Sequence, residues 1–355
     1  MTGDIVIALD AMGGDQAPRM VVAGASQAAK RHPQLRFLFF GDQAKLQPLI
    51  ERFSGLSRIA TIEHTDIAIA ADAKPSVALR QGRRSSMALA VDAVADGRAA
   101  AMVSAGNTGA LMAMAKIKLK TLPGIDRPAI CGILPTKRGE SVFLDLGANI
   151  ECSARNLVDF ALMGALFART VLGCVNPRVG LLNVGSEELK GHEEVREAAA
   201  ILRAGQFPFE FIGFVEGDGL PAGSADVVVT DGFTGNVALK TVEGVAQMFA
   251  DYLRRAMRAT WFTRLGYILA APAFRALREK IDPRRHNGAM FLGLTGIAVK
   301  SHGGTDSLGF ANAIGVAFDV VAHGFNARMI DELAKLKETA PEIFSATNQS
   351  MTGSS

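Results

Sequence analysis

Several kinds of feature are scarce in this sequence, and each scarcity removes a class of protein. Only three cysteines occur in 355 residues, Cys131, Cys152 and Cys174. They show neither metal-ligand spacing nor a pairing pattern, so they read as reduced thiols of a cytoplasmic protein, not a disulfide framework. No apolar run approaches the roughly 20 residues that a spanning helix needs. The N-terminus carries Asp4 and no basic leader, which argues against a secretory signal. A net charge of +3 is too small to argue for nucleic acid. Aromatic residues make up only 6%, with one Trp and two Tyr, and those three fall together in a single late segment. Hydrophobic residues at 49% and charged residues at 21% exclude a disordered chain and predict a soluble, globular one.

One pattern recurs: a short β-branched or apolar run, a loop of small polar residues, then a stretch with helical periodicity. It appears in IVIALD-AMGGD, AAAMVS-AGNTG, SVFLDL-GANIE, RVGLLN-VGSEELKG, ADVVVT-DGFTG and GIAVKS-HGGTDSLG, each followed by a helix-period run. Strands with few polar alternations are buried on both faces, so the units predict an α/β fold with a largely parallel, doubly wound sheet. Ligands of such sheets bind beyond the carboxyl ends of the strands. All six loops are therefore expected along one rim of the sheet. The organisation expected is one catalytic unit over residues 1–337, with a helical hairpin at 250–285 and a polar, disordered tail at 338–355.

Two loops compete as an anion cradle. The first, AMGGDQAP, has Gly13 and Gly14 but lacks the third glycine of a dinucleotide fingerprint. It also places Asp15 where a pyrophosphate would lie. Asp42, which ends FLFFGD, imitates a ribose-binding acid but cannot rescue the motif, and a plain turn with Asp15 capping the helix is the simpler reading. The second, SAGNTGAL, offers Ser104, Gly106, Asn107, Thr108 and Gly109 at a helix start with no acid nearby. Backbone N–H groups and a hydroxyl there suit an anion, and a capped strand-to-helix turn fits equally well.

With both loops in view, the chain strongly resembles the bacterial phosphate acyltransferases of phospholipid synthesis, the acyl-ACP:phosphate transacylases. The stretches that carry the resemblance are IALDAMGGDQAP, SSMALAVDAV, VSAGNTGAL, LLNVGSEELKG, VVVTDGFTGNVALK and SHGGTDSLGF, in order from about residue 5 to 335. The resemblance implies attack of inorganic phosphate on the thioester of acyl-ACP, giving acyl phosphate and free ACP. It also implies a homodimer, and a fold related to isocitrate and isopropylmalate dehydrogenases and to phosphotransacetylase. No metal and no cofactor is implied.

Such a reaction needs phosphate aimed, an oxyanion stabilised, a thiolate released and water excluded. Phosphate is largely dianionic at neutral pH, so positioning and electrostatics dominate over base catalysis. Lys190, between a strand end and a helix start, can supply a point charge. His302, followed by Gly303 and Gly304, can polarise the carbonyl or protonate the departing sulfur. Among the other five histidines, His192 is the one expected in a strand-end loop. Asn236 can donate to the oxyanion, and Asp231 can accept the phosphate proton or orient Lys190 or His302; helix capping is the competing role for both. Gly13, Gly14, Asp15, Ser104, Gly106, Asn107, Thr108, Gly109, Gly303 and Gly304 are the expected substrate-binding residues.

The segment 250–285 is unlike the rest of the chain. It holds nine basic residues and three acids, so its local charge is +6 and the remainder of the chain is net −3. Arginines mixed with Trp261, Leu265, Tyr267 and Ile268 predict two amphipathic helices bending at Pro272 and lying on a membrane surface, a second copy, or both. Peripheral membrane contact would suit a product passed to a downstream glycerol-3-phosphate acyltransferase. The basic run Arg80, Arg83 and Arg84 is the expected contact for acidic ACP. Competing readings are a phosphotransacetylase acting on acyl-CoA, an NAD-dependent hydroxyacid decarboxylase and a non-catalytic membrane scaffold.

Overall fold

A computed structural model describes residues 3–274, 282, 284–285 and 287–339. The first part of the chain folds as β1 (Ile5–Asp10), α1 (Arg19–Arg31), β2 (Leu35–Gly41), α2 (Gln43–Glu51), β3 (Ala60–His64), α3 (Pro75–Gln81), α4 (Ser86–Ala95), β4 (Ala101–Ser104) and α5 (Thr108–Leu119). A hairpin of β5 (Ala129–Thr136) and β6 (Gly139–Leu144) follows. Then come α6 (Ala154–Val171), β7 (Arg178–Leu182), α7 (Glu193–Ala204), β8 (Glu210–Val215), α8 (Gly219–Ala222) and β9 (Val227–Val229). A long helix α9 (Gly232–Arg258), the shorter α10 (Trp261–Leu269), β10 (Ala289–Leu292), β11 (Ile297–Lys300), α11 (Ser307–Ala322) and α12 (Phe325–Thr339) complete it.

Among the described residues all eleven strands join one sheet, in the order β3-β2-β1-β4-β11-β10-β5-β6-β9-β7-β8. Its two faces carry separate cores because side chains alternate along each strand. Ile7 and Leu9 face the layer of α1, α2, α6, α7, α11 and α12, whereas Ala8 faces α3, α4, α5, α8 and the start of α9. Fully buried Phe37, Phe39, Phe160, Phe167 and Phe310 fill the first layer, each worth about 2–3 kcal/mol of apolar burial. The largely parallel, doubly wound α/β architecture read from the sequence is the one present.

Strand polarity departs from expectation. β10 is antiparallel to both β11 and β5, and β5 is antiparallel to β6, while every other pairing is parallel. Consequently β1–β5 and β11 run one way and β6–β10 run the other. The six loops do not share a rim. Those after β1, β4 and β11 lie on one rim, here called the first, and those after β6, β7 and β9 lie on the opposite, second rim. The cause is local: β5 returns as β6 through a turn at Lys137 and Arg138, which reverses every strand that follows until β11.

Smaller corrections concern ends and caps. Asp15 does not cap α1, whose N-cap position is Pro18, with no side-chain bond. His64 closes β3 and its Nδ1 accepts from Gln43 N, so His192 is not alone among the remaining histidines in standing at a strand end. The first bend in the late segment falls at Ala259 and Thr260, where Thr260 and Thr263 form a capping box for α10. Pro272 comes later, in a helical turn over residues 271–274; Arg275, Arg278, Glu279 and Lys280 lie outside the described residues. Helix α12 runs to Thr339, past the expected boundary at 337, and the rest of the tail lies outside the described residues.

Candidate active site

The first rim is built around Asp10, the last residue of β1 and one of the few buried acids. Ser86 Oγ, at the start of α4, and Ser104 Oγ, at the end of β4, each donate to its carboxylate at 2.6 Å. Burial pushes the Asp10 carboxyl above its ordinary pKa, against the opposing pull of the serine hydroxyls. Ser104 Oγ in turn accepts from Gly106 N at 3.0 Å, which curls the loop into α5. Gly13 packs into this corner: a Cβ there would stand 2.4 Å from Asp10 Oδ2 and 2.8 Å from Gly106 N. The third loop joins through Asp15 N, which donates to Gly303 O at 3.0 Å. Three loops from three strands are thereby knitted together by hydrogen bonds and contacts that need glycine.

Within this frame the expected residues take different parts. Asn107 caps α5, accepting from Ala110 N, and its amide donates to Ala71 O and Ala73 O. Its polar atoms are committed, which makes it a positioning residue. Thr108 and Gly109 are exposed at the first turn of α5, where backbone N–H groups have no helical partner. His302 is exposed, and its Nδ1 accepts from Gly304 N at 3.2 Å. That bond leaves Nε2 as the protonated nitrogen of the neutral ring. The backbone beneath is fixed by buried Asn287, whose Oδ1 accepts from His302 N at 2.9 Å and whose Nδ2 donates to Ser301 Oγ.

The sequence reading missed Lys300, the residue that ends β11 immediately before SHGG. It is half-buried, and desolvation lowers its pKa to about 8, with Asp10 and Asp15 acting in the opposite sense and Lys240 reinforcing the fall. The sign was available in the sequence: a lysine ending an apolar strand such as GIAVK has a charge to place at the carboxyl rim. Ser86 and Asp10 were likewise inside quoted motifs without being assigned a role.

On the second rim Asp145 plays the hub. Its buried carboxylate accepts from Ile130 N, Gly147 N, Ala148 N and Asn149 N, and also from Asn149 Nδ2. Asp231 caps α9, one oxygen accepting from Thr234 N at 2.8 Å and the other from Thr234 Oγ1 at 2.7 Å. Asn236 is exposed, across from Gly147. Lys190 is exposed, loosely paired with Glu187 at 3.9 Å, in a loop held by Asn183 Nδ2 on Gly185 O and Lys190 O. His192 occupies the N-cap position of α7 without a side-chain bond. Each of these three loops also exposes a large apolar side chain: Ile150, then Val184 and Leu189, then Phe233. At Cys152, beside this hub, burial and the nearby Asp145 and Asp231 push the thiol up to about 12, which disfavours the thiolate.

The two rims are linked by α9. It starts at the second rim and runs antiparallel to β9, back across the sheet face, where Ala238, Leu239 and Val242 pack on the core. Lys240, one turn after Asn236, thereby comes within electrostatic reach of Lys300 on the first rim. Beyond the body, α9 exposes Val245, Met248, Phe249 and Tyr252, and α10, folded onto it, exposes Trp261, Leu265, Tyr267 and Ile268. Arg284 does not join this face, being held by Asp282 and by Asp306, the N-cap of α11.

The chain matches the family model described as fatty acid synthesis protein over residues 5–328. It is 62% identical over 337 residues to the phosphate acyltransferase of Rhodospirillum centenum, covering 95% of each chain. It is 58% identical to that of Rhodospirillum rubrum, covering 95% of this chain and 97% of the relative. Among solved structures, a phosphotransacetylase from Streptococcus pyogenes superposes with a TM-score of 0.61 at 19% identity, covering 90% of this chain and 94% of that one. That likeness establishes a shared fold. Taken with the extent and identity of the sequence matches, it leaves one assignment: the chain belongs to the phosphate acyltransferase family of fatty acid synthesis proteins.

Proposed function

We propose that the protein transfers a long-chain acyl group from the thioester of acyl-ACP to inorganic phosphate, and that the first rim is where it does so. The observation that carries the reading is the convergence of three glycine-bearing loops on one locus that holds a half-buried lysine, a histidine with a free Nε2–H and an unpartnered helix start. In the step, a phosphate oxygen attacks the thioester carbonyl carbon, the C–S bond breaks, and the thiolate of ACP leaves and takes a proton. His302 donates to the carbonyl oxygen or to the sulfur; fixed donors of this kind are worth about 10²–10³ in rate. Asp231, with both oxygens held by Thr234, acts by setting the start of α9.

Mixing the purified protein with long-chain acyl-ACP and phosphate, and following free ACP thiol and acyl phosphate, tests the reading. Phosphate-dependent turnover without added metal or NAD is expected. Turnover with acyl-CoA alone would favour the phosphotransacetylase reading, and silence with both donors the scaffold.

The docking of ACP is assigned to Arg80, Arg83 and Arg84, all exposed. Their segment is tied to the first rim by Thr65 Oγ1 on Arg84 O, by Ser86 N on Ile67 O and by Ser86 Oγ on Asp10. A homodimer and peripheral membrane contact belong to the same proposal. Val245, Met248, Phe249 and Tyr252 follow the i, i+3, i+4, i+7 spacing of a packing stripe, suited to a second copy. Trp261, at 66% exposure, and Ile268, at 67%, suit a lipid surface. Replacing Trp261, Leu265 and Ile268 by Asp should abolish flotation with anionic liposomes; unchanged flotation would remove the membrane role.

A further inference from the structure

The SHGGTD loop that carries His302 has little to hold it from within. Gly303 and Gly304 bring no side chains, and glycine gives up more conformational freedom than any other residue when it is ordered. The exposed His302 ring is bonded to Gly304 N, inside the same loop. Much of the loop's placement therefore comes from outside, and one side chain stands out. β10 runs antiparallel to β11 with Ala289 opposite Lys300, so the same register sets residue 287 opposite residue 302. Asn287, only 8% exposed, there bonds on both sides of the glycine pair. Its Oδ1 accepts from His302 N at 2.9 Å, and its Nδ2 donates to Ser301 Oγ at 2.8 Å and, more weakly, to Thr305 Oγ1 at 3.4 Å. The neighbouring helix is bare where this amide sits: a Cβ on Gly309 would stand 3.2 Å from Nδ2 and 2.0 Å from Thr305 Oγ1. Gly288, at φ +124°, brings the same segment so close to α11 that a Cβ would stand 2.9 Å from Ala313 Cα. Arg284, from that segment too, holds the far end of the loop, with Nη1 2.8 Å from Asp306 Oδ2. A buried amide is costly unless its polar atoms are paired, and an apolar side chain would serve packing as well. What the amide adds is a fixed distance across the two glycines.

We propose that Asn287 is a positioning residue for acyl transfer, a clasp that closes the loop at Ser301, His302 and Thr305 so that His302 presents its Nε2–H from one place. The proposal rests on the acyl-to-phosphate reading for what His302 does, but not for the clasp itself. His302 Nδ1 accepts from Gly304 N only while the glycine peptides keep the turn that the clasp closes. Released, the loop samples turns in which Gly304 N points elsewhere, Nδ1 loses its donor, and the neutral ring divides between its two tautomers. A donor on the wrong nitrogen does not serve the transition state, and a reacting group misplaced by about 1 Å costs on the order of 10²-fold in rate. Asn287 is assigned no contact with the reacting atoms; its effect passes through His302.

The test uses the full-length protein with long-chain acyl-ACP and phosphate. Asn287→Leu keeps the bulk of the side chain and removes its polar atoms. It should lower kcat by about 30-fold or more while both KM values stay within about threefold. In a His302→Ala background the same substitution should cost less than about threefold further, because groups that act as a unit are not additive. Asn287→Asp keeps an acceptor for His302 N, and the Ser301 and Thr305 hydroxyls can turn to donate to it, so kcat should stand about tenfold or more above that of the leucine variant. Nuclear magnetic resonance on protein carrying isotope-labelled histidine reads the ring directly, at a pH where it is neutral. The signals lost in His302→Ala should report the Nε2–H tautomer in the wild type and a mixture in Asn287→Leu. Equal losses of kcat in the two backgrounds, or an unchanged tautomer, would overturn the clasp, since a purely structural asparagine lowers Tm without either signature. If Asn287→Leu fails to fold, as read by circular dichroism, Ser301→Ala decides. It should lower kcat by about threefold or more, non-additively with His302→Ala, and an unchanged kcat would overturn the clasp. Wild-type protein that transfers no acyl group, or His302→Ala protein with full activity, would refute the reading of the reaction, and the tautomer in Asn287→Leu would still decide the clasp.

Discussion

The two rims of the sheet carry loops that look alike in sequence and behave differently in space. On the first, AMGGD, SAGNTG and SHGGTD bond to one another across strands, with Asp10 as hub and Lys300 and His302 at the adjoining end of β11. On the second, Gly232 N donates to Asn149 O at 2.6 Å and joins DGFTG to GANIE, but the organising side chains Asp145, Asn183 and Asp231 bond mainly to backbone or within their own loops, which expose Ile150, Val184, Leu189 and Phe233. A strand, a glycine loop and a helix start are therefore not enough to mark a polar site. What separates the rims is whether side chains from different strands share hydrogen bonds.

This contrast can be broken experimentally, and the sharpest blow is to a glycine on each side. Gly13→Ala pushes a methyl into Asp10 Oδ2 and Gly106 N. It should cost about 10²-fold or more in kcat/KM, because misplacing reacting groups by about 1 Å has that effect. Gly235→Ala would place a methyl 1.9 Å from Asp145 O. It should show itself chiefly as lost stability, about 1–3 kcal/mol, visible as a lowered Tm. Comparable losses of activity per folded molecule at both sites would erase the distinction. Next in size, His302→Ala should lower kcat by about 10²-fold or more, and Lys190→Ala by about tenfold, since one is fixed at the first rim and the other swings on the second. Steady-state rates in the reverse order would move the chemistry to the second rim. The smallest effect sharpens the picture from outside. Reversing the charges of Arg80, Arg83 and Arg84 should raise the KM for acyl-ACP severalfold at low salt, with the difference shrinking as ionic strength rises and the phosphate KM unchanged.

Much of this architecture could be read from residues alone. The six strand-loop-helix units, the two-sided burial of the strands and the small-residue loops all follow from periodicity and turn chemistry, and IVIALD, AAAMVS and GIAVKS sit near the strand boundaries found. Polarity could not be read, because it depends on one hairpin. The turn at Lys137 and Arg138 inverts the strands that follow, yet nothing in RVGLLN or ADVVVT records which way it points. The roles of Asn107 and Asp231 were legible as a choice between capping and ligand binding, and the structure shows both side chains making the capping bond. Asp10 and Lys300 were hidden for a different reason. Each ends a strand, where periodicity gives no information about what the last side chain meets from neighbouring strands.

The length of α9 has a geometric consequence. At about 1.5 Å per residue its 27 residues span about 40 Å, whereas the strands beneath are short. From Lys240 to Arg258 the rise is about 27 Å, uninterrupted by Pro. The helix is thus a gauge: whatever surface α10 meets, the spacing between that surface and Lys240 is counted out in residues. Four residues added to or removed from its exposed half would change the standoff by about 6 Å while keeping nearly the same face turned outward.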